Sequence, residues 1–363
     1  MVKHFEQHLT DKIQLIEDMS IITVVTKFFE DIKSLDDVKE MPYINLNHSH
    51  LTSFVPGEIH QSIFGTIQDE IHKDKIIRIK AIKEYTTELG LVVNIVQCSE
   101  NTFLIHDSDP DIIQKVTVRP DSTIKVLSQI NERAHKTALT RNGDLLISDL
   151  TPKLKIIIGN GKTTSKYIFK PFLVQSIHIN NENQLIVGAV KKLPVDYPVP
   201  GGGVVMVMDM DGNHVAKYEF DKKNEPLFTD LRDIITTKNG KIFIIDIITD
   251  DSRGRVVMME KGTVSRIYIG HPDINSQNHP FKPCSTVATP NDNVIVSDMI
   301  NNTLHFLDNS VHLLAYCNTV EDDILLPYSM LCSKPGTLFI GSSAPCIGNH
   351  KANIFEVEIP NHL

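Results

Sequence analysis

The sequence predicts an all-β fold, a six-bladed β-propeller that follows an N-terminal α-helical segment. From about residue 75 onward, the chain consists of short strand-like runs that are bounded by Gly, Asn, Asp or Pro. A module of strand, polar turn and second strand recurs there about every 40 to 57 residues, the period of a four-stranded propeller blade. The copies lie at residues 94–107, 137–149, 176–189, 234–246, 286–298 and 329–342.

The residues before the repeats divide into two segments. Apolar side chains recur at spacings of three to five between Phe5 and Leu35, as one face of a helix requires. Pro42 and Pro56 then interrupt any helix, and residues 54–59 have the composition of a turn. We therefore expect a helical or coiled-coil segment at 1–40, a linker packing on the propeller at 41–74, and the propeller at 75–363.

The ring of blades needs a closing strand. The strand-like run Ile76–Lys83 precedes the first module and has no partner there, while the last blade, which ends near Ile359, lacks an outer strand. Pairing the two would close the ring and remove an exposed sheet edge. The sequence therefore predicts that the early strand completes the last blade.

Composition narrows the classes of function. The formal net charge is −9, which disfavours strong non-specific binding to nucleic acid. The N-terminus has no signal-peptide pattern, no apolar run is long enough to cross a membrane, and the five cysteines include no C-x-x-C pair. We expect a cytoplasmic protein with reduced thiols, no cofactor and no membrane association.

Residues 296–308, VSDMINNTLHFLD, resemble the NHL-repeat signature of a small residue and Asp followed by Asn and an apolar strand. Residues 51–65 are similar to the segment that joins coiled coil to propeller in tripartite-motif proteins of the NHL class, especially invertebrate ones. The resemblance implies a recognition propeller in a ubiquitin-ligase-related context, with dimerisation through the N-terminal helix. Relatives usually begin with zinc-binding RING and B-box modules, but the first cysteine here is Cys98, inside the propeller.

Four modules end in an aspartate: Asp107, Asp149, Asp246 and Asp298. Such a column resembles a metal or catalytic ring. However, Asp at the end of a strand commonly accepts hydrogen bonds from nearby backbone N–H groups. We therefore interpret the column as structural and expect no metal site there.

Two rings of side chains emerge when the starts of the innermost strands are aligned. The first ring contains Val93, His135, Gln175, Arg232, Cys284 and Tyr328, and the second contains Asn94, Lys136, Ser176, Asp233, Ser285 and Ser329. The second ring is polar in all six blades, so it marks either a hydrated channel or a recognition face. Our candidate partner-binding residues are His135, Lys136, Gln175, Arg232, Asp233 and Tyr328.

Three functions remain open on the sequence. The first is a non-catalytic recognition or scaffold module for a protein partner, and the second is sequence-specific RNA binding in post-transcriptional regulation, as the NHL resemblance also allows. The third is a calcium-dependent hydrolase of the lactonase type, which needs Glu, Asn and Asp converging on a metal. The second ring offers only Asn94 and Asp233 for that purpose, so we expect no catalytic residues.

Overall fold

The computed structural model describes residues 54–55, 66–67, 76–109, 111–159, 161–191, 202–344, 351–360 and 363. Two compact units make up the chain, Met1–Ile71 and His72–Leu363. In the first unit, β1 (Phe54–Val55) pairs antiparallel with β2 (Thr66–Ile67), where the sequence predicts only a linker and a turn. The helix expected at 1–40, the rest of the linker and residues 192–201 lie outside the described residues.

The second unit is a six-bladed propeller, as the sequence predicts, with four antiparallel strands in each blade. Blade 1 contains β4 (Asn94–Ser99), β5 (Thr102–Ser108), β6 (Asp111–Val118) and β7 (Ile124–Ile130). Blade 2 contains β8 (Lys136–Leu139), β9 (Leu145–Ser148), β10 (Lys153–Ile157) and β11 (Thr163–Ile168). Blade 3 contains β12 (Leu173–Ile179), β13 (Leu185–Val190), β14 (Gly203–Met208) and β15 (His214–Tyr218).

The remaining blades follow the same order from the channel outward. Blade 4 contains β16 (Asp230–Thr236), β17 (Ile242–Ile247), β18 (Gly254–Glu260) and β19 (Thr263–Tyr268). Blade 5 contains β20 (Pro283–Ala288), β21 (Val294–Asp298), β22 (Thr303–Leu307) and β23 (Leu313–Asn318), followed by a 3₁₀-helix at Thr319–Asp322. Blade 6 contains β24 (Pro327–Lys334), β25 (Thr337–Ser342), β26 (Asn353–Glu358) and β3 (Lys80–Thr86). Among the described residues, no helix has the length and apolar character needed to cross a membrane.

The predicted ring closure is confirmed, because β3 pairs antiparallel with β26 as the outer strand of blade 6. The strand begins later than the sequence predicts, at Lys80 instead of Ile76. The preceding residues run beside β23 of blade 5, where the Ile77 N–H donates to the Tyr316 carbonyl at 2.9 Å. One segment therefore bridges the outer edges of two blades.

The hydrophobic core lies between the blades. Every residue of β13 and β14, the two middle strands of blade 3, is buried, because neighbouring blades cover both faces of the sheet. This explains the continuous apolar runs Leu185–Val190 and Val204–Met208, which are typical of strands buried on both faces. The outer strands are more polar; in β7 five consecutive residues are exposed.

A β-bulge at the start of the innermost strand positions the first ring. The ladder register shifts at Gln175, Arg232, Cys284 and Tyr328 in blades 3 to 6. A bulge places an extra residue opposite one partner and thereby redirects its side chain. In blade 2, His135 takes the equivalent place, since its N–H donates to the Ser148 carbonyl at 2.7 Å while Lys136 pairs with Ser148.

Candidate functional site

Several second-ring side chains hydrogen-bond to the following blade. Asn94 Oδ1 accepts from Thr137 of blade 2, at 3.2 Å from the backbone nitrogen and 2.7 Å from Oγ1. Asp233 Oδ2 of blade 4 accepts from the Thr286 N–H of blade 5 at 2.8 Å. The innermost strand of a blade is a sheet edge, and buried backbone N–H groups on such an edge need partners. Polar side chains at this ring therefore tie consecutive blades together.

An ion pair joins two blades that are not neighbours. Lys136 Nζ of blade 2 lies 2.9 Å from Asp233 Oδ1 of blade 4, and both side chains are buried. Blade 3 lies between them in the ring and contributes Ser176, whose hydroxyl is buried without a hydrogen-bond partner among the described residues. The Lys136 ammonium and the Asp233 carboxylate thus neutralise each other inside the protein.

Gln175 is at the centre of a second chain of contacts. Its side-chain amide donates to the carboxylate of Asp230, and its Oε1 accepts from the Leu231 N–H at 3.2 Å. The His135 Nδ1 lies 2.8 Å from the Gln175 carbonyl oxygen. The pKa of His135 is lowered to about 4, mainly by burial and also by the charges of Lys136 and Arg232. The imidazole is therefore neutral at pH 7, with Nδ1–H as the donor and Nε2 as an acceptor.

Arg232 and Tyr328 lie at the mouth and remain half-buried. The Arg232 side chain is 30% exposed, and its Nη2 lies 3.8 Å from Asp230 Oδ2. The guanidinium also interacts with the Tyr328 hydroxyl of blade 6. Burial raises the pKa of Tyr328 to about 12, although the charge and hydrogen bond of Arg232 oppose the rise. The phenol therefore stays protonated at neutral pH and can donate a hydrogen bond.

The structure thus places the six candidate residues in two contact networks. Lys136, Gln175 and Asp233 are buried and bonded to other blades, whereas His135, Arg232 and Tyr328 are half-buried.

Sequence reasoning missed Asp230, which precedes the first ring and accepts a hydrogen bond from the Gln175 amide. It also missed His106, on the second strand of blade 1, because the alignment considered only innermost strands. Neither position carries a repeat signal that would have identified it.

Aspartates of the column accept backbone hydrogen bonds, which supports the structural interpretation. Asp246 Oδ1 accepts from the N–H groups of Thr229 and Asp230 at 2.8 and 2.9 Å, and its Oδ2 pairs with Arg255. Asp107 likewise accepts from Gly90 and Leu91 where the chain enters blade 1. Asp246 and Asp107 therefore each hold the segment that leads into their own blade. Throughout the described ranges, no three His, Cys, Asp or Glu side chains are placed to hold a metal ion.

Three histidines with lowered pKa values make stability depend on pH. Burial lowers the pKa of His106 to about 3 and those of His135 and His178 to about 4, so all three are neutral in the folded protein. The unfolded chain binds these protons below about pH 6.5. The contribution of these histidines to the free energy of unfolding is therefore fully present above about pH 6.5. It declines as pH falls towards 4, by up to about 1.4 kcal/mol per pH unit for each histidine.

We expect the free energy of unfolding in urea to be lower at pH 5 than at pH 7, and His106→Gln to reduce that difference. His106 is a suitable test because its side chain is 1% exposed and its pKa is lowered the most of the three, to about 3. His214→Gln, at an exposed position on β15, is the matched control and should leave the difference unchanged. An unaltered pH dependence in His106→Gln would contradict the assignment.

No protein-family model matches the sequence, and no curated protein does. Solved structures resemble the fold at low identity. The PQQ-bound aldose sugar dehydrogenase of Streptomyces coelicolor is 11% identical with a TM-score of 0.55, covering 77% of this chain and 98% of that one. Virginiamycin B lyase of Staphylococcus aureus is 10% identical with a TM-score of 0.51, covering 78% and 99%. The WD40 propeller domain of Doa1 is 12% identical with a TM-score of 0.50, covering 77% and 97%.

These three likenesses establish the propeller fold. The fold is shared by two enzymes and a WD40 domain, so function has to be argued from the site.

Proposed function

We propose that this protein is a non-catalytic recognition module that binds a protein partner at the channel mouth formed by His135, Arg232 and Tyr328. The observation that carries the proposal is the half-buried Arg232 guanidinium, which interacts with a protonated phenol and has no carboxylate of the described residues within hydrogen-bond distance. Arg and Tyr are among the residues that most often dominate the energetics of protein interfaces. The bulges that redirect these side chains belong to hydrogen-bonded strands, which keeps the mouth rigid.

The state of the other polar groups favours binding over catalysis. A general base or a calcium ligand needs a lone pair that faces the substrate or the ion. Asp233 is instead paired with Lys136 and accepts from Thr286, and the Asn94 amide oxygen accepts from Thr137. These contacts occupy the two residues that a lactonase-type calcium site would use in the second ring.

The NHL-like repeat suggests the setting of this module. Under this proposal it is an adaptor in a cytoplasmic, ubiquitin-ligase-related assembly of the tripartite-motif type, and residues 1–40 mediate homo- or hetero-dimerisation. Any ubiquitin-ligase activity would come from a partner. RNA is the second candidate ligand, but a net charge of −9 disfavours the phosphate backbone.

Affinity capture from cell lysate, with and without RNase, tests the proposal. We expect partners that survive RNase with the wild-type chain and are lost with Arg232→Glu and with Tyr328→Ala. Arg266→Glu, at an exposed position on β19 of the same blade, is the charge-matched control and should retain them. Recovery that collapses on RNase treatment would favour RNA binding, and partners retained by both mouth variants would overturn this proposal.

A further inference from the structure

Two arginines of blade 4 differ in how completely they are paired. Arg255 donates from both Nε and Nη2 to Asp246 Oδ2, at 2.9 and 2.8 Å, and Nη2 also donates to the Leu227 carbonyl at 2.9 Å. Arg232 is only slightly more exposed, yet its nearest carboxylate oxygen lies at 3.8 Å, beyond hydrogen-bond distance. A guanidinium has five N–H donors in a planar fork. Arg232 therefore retains donors that no carboxylate among the described residues satisfies.

The carboxylate of Asp230 is held by other contacts and does not hydrogen-bond to Arg232. Its Oδ1 accepts from the Gln175 amide, and its backbone N–H donates to Asp246 Oδ1 at 2.9 Å. Its Oδ2 is buried and has no hydrogen-bond partner among the described residues. Asp230 thus attracts the guanidinium electrostatically without accepting a hydrogen bond from it. Asp230 Oδ2, which has no hydrogen-bond partner among the described residues, therefore lies 3.8 Å from Arg232 Nη2.

Two hydrogen-bond donors from different blades remain at the mouth, the Arg232 guanidinium and the Tyr328 hydroxyl. The Tyr328 hydroxyl of blade 6 interacts with the Arg232 guanidinium of blade 4 and is protonated at neutral pH. The other nearby cation, Lys136, is neutralised by Asp233 at 2.9 Å. The charges of both cations contribute to the lowered pKa of the neighbouring His135, whereas burial raises the pKa of the Cys284 thiol to about 11 despite them. An anion at the mouth would meet two hydrogen-bond donors and the charge of Arg232.

We propose that Arg232 and Tyr328 form a binding site for a single carboxylate, presented by an acidic side chain of the protein partner. This inference rests on the proposed recognition function and specifies its ligand. The planar fork of Arg matches the two oxygens of a carboxylate. The two cations Arg232 and Lys136 are balanced by Asp230 and Asp233, so a monoanion fits better than a phosphate dianion, which these carboxylates repel.

Acetate is the simplest probe of this site. In protein labelled with ¹⁵N-arginine, the Arg232 Nε–Hε signal is identified by its absence in Arg232→Lys. We expect this signal to shift saturably with sodium acetate but not with acetamide or with sodium chloride at equal ionic strength. The Arg255 signal is an internal control and should not move, because Asp246 already occupies its donors.

Capped peptides extend the test to a side-chain carboxylate. Acetyl-Gly-Glu-Gly-amide should bind roughly tenfold more tightly than the Gln peptide, because a charge-assisted pair with Arg is the difference between them. Arg232→Lys, which keeps the charge but loses the fork, and Tyr328→Phe should each reduce this preference, whereas Arg266→Gln should preserve it.

The outcomes separate this inference from the proposed function. No saturable acetate shift, with equal binding of the Glu and Gln peptides, would overturn the carboxylate site even if partner capture still depended on Arg232. Tighter binding of the corresponding capped peptide with phosphoserine in place of Glu would overturn it in favour of a phosphate site. Acetate and Glu-peptide binding at Arg232, together with partner capture that is insensitive to Arg232→Glu, would support the site and refute the recognition function.

Discussion

Lys136→Met is expected to destabilise the propeller by about 3–5 kcal/mol, the usual effect of removing one member of a buried ion pair. The Asp233 carboxylate would remain buried and would lose its partner at 2.9 Å, retaining only the Thr286 N–H. Asp233→Asn should have an effect of the same kind, because it leaves the Lys136 ammonium buried without a counterion. Urea denaturation of each variant measures the change.

The double variant Lys136→Met/Asp233→Asn should be less destabilised than the sum of the single variants, because it leaves no unpaired charge. The Asn side chain still offers an oxygen to the Thr286 N–H. Arg253→Met is the matched control, since Arg253 forms a pair of the same length, 2.9 Å to Asp251, at the surface. Its effect should stay within about 1 kcal/mol. Equal losses of stability in Lys136→Met and Arg253→Met would contradict the conclusion that the pair of Lys136 and Asp233 is buried and stabilising.

The fold was predictable because the strand–turn–strand module repeats, and each copy carries its own turn residues. Ring closure followed from the two unpaired strands at the ends of the repeat array. The start of β3 was not predictable, because Ile76–Ile79 is as strand-like as the residues after it. The division at Lys80 depends on the hydrogen bond from Ile77 to Tyr316 on the edge of blade 5, which is a tertiary contact.

The positions of the candidate residues along the strands were predictable from the sequence, but the contacts between their side chains were not. The six blades share one alignment, so equivalent places at the start of each innermost strand could be read from the sequence. Which side chains meet depends on distances between blades. Lys136 bypasses blade 3 to reach Asp233, and Gln175 bonds to Asp230, a residue outside the aligned rings. A linear repeat pattern contains no information on such contacts.

Tyr85→Ala is expected to destabilise the protein by about 3–5 kcal/mol, the range for truncating a large buried aromatic residue. Tyr85 is the buried residue of the closing strand β3; it is 1% exposed and donates its hydroxyl hydrogen to Glu356 at 2.9 Å. It packs in the cluster that includes Ile354 of β26 and Phe103 of blade 1. The truncation therefore weakens the closing blade and its contact with blade 1.

Ile82→Ala is the control on the same strand, because Ile82 is 47% exposed and its truncation should change stability by no more than about 0.5 kcal/mol. A stronger test compares a chain that begins at residue 76 with one that begins at residue 87. The shorter chain lacks β3 and leaves β26 as an unpaired edge, so it should lose the cooperative unfolding transition of the longer chain or aggregate. Matching transitions in the two chains, together with a small effect of Tyr85→Ala, would mean that closure by β3 contributes little to stability.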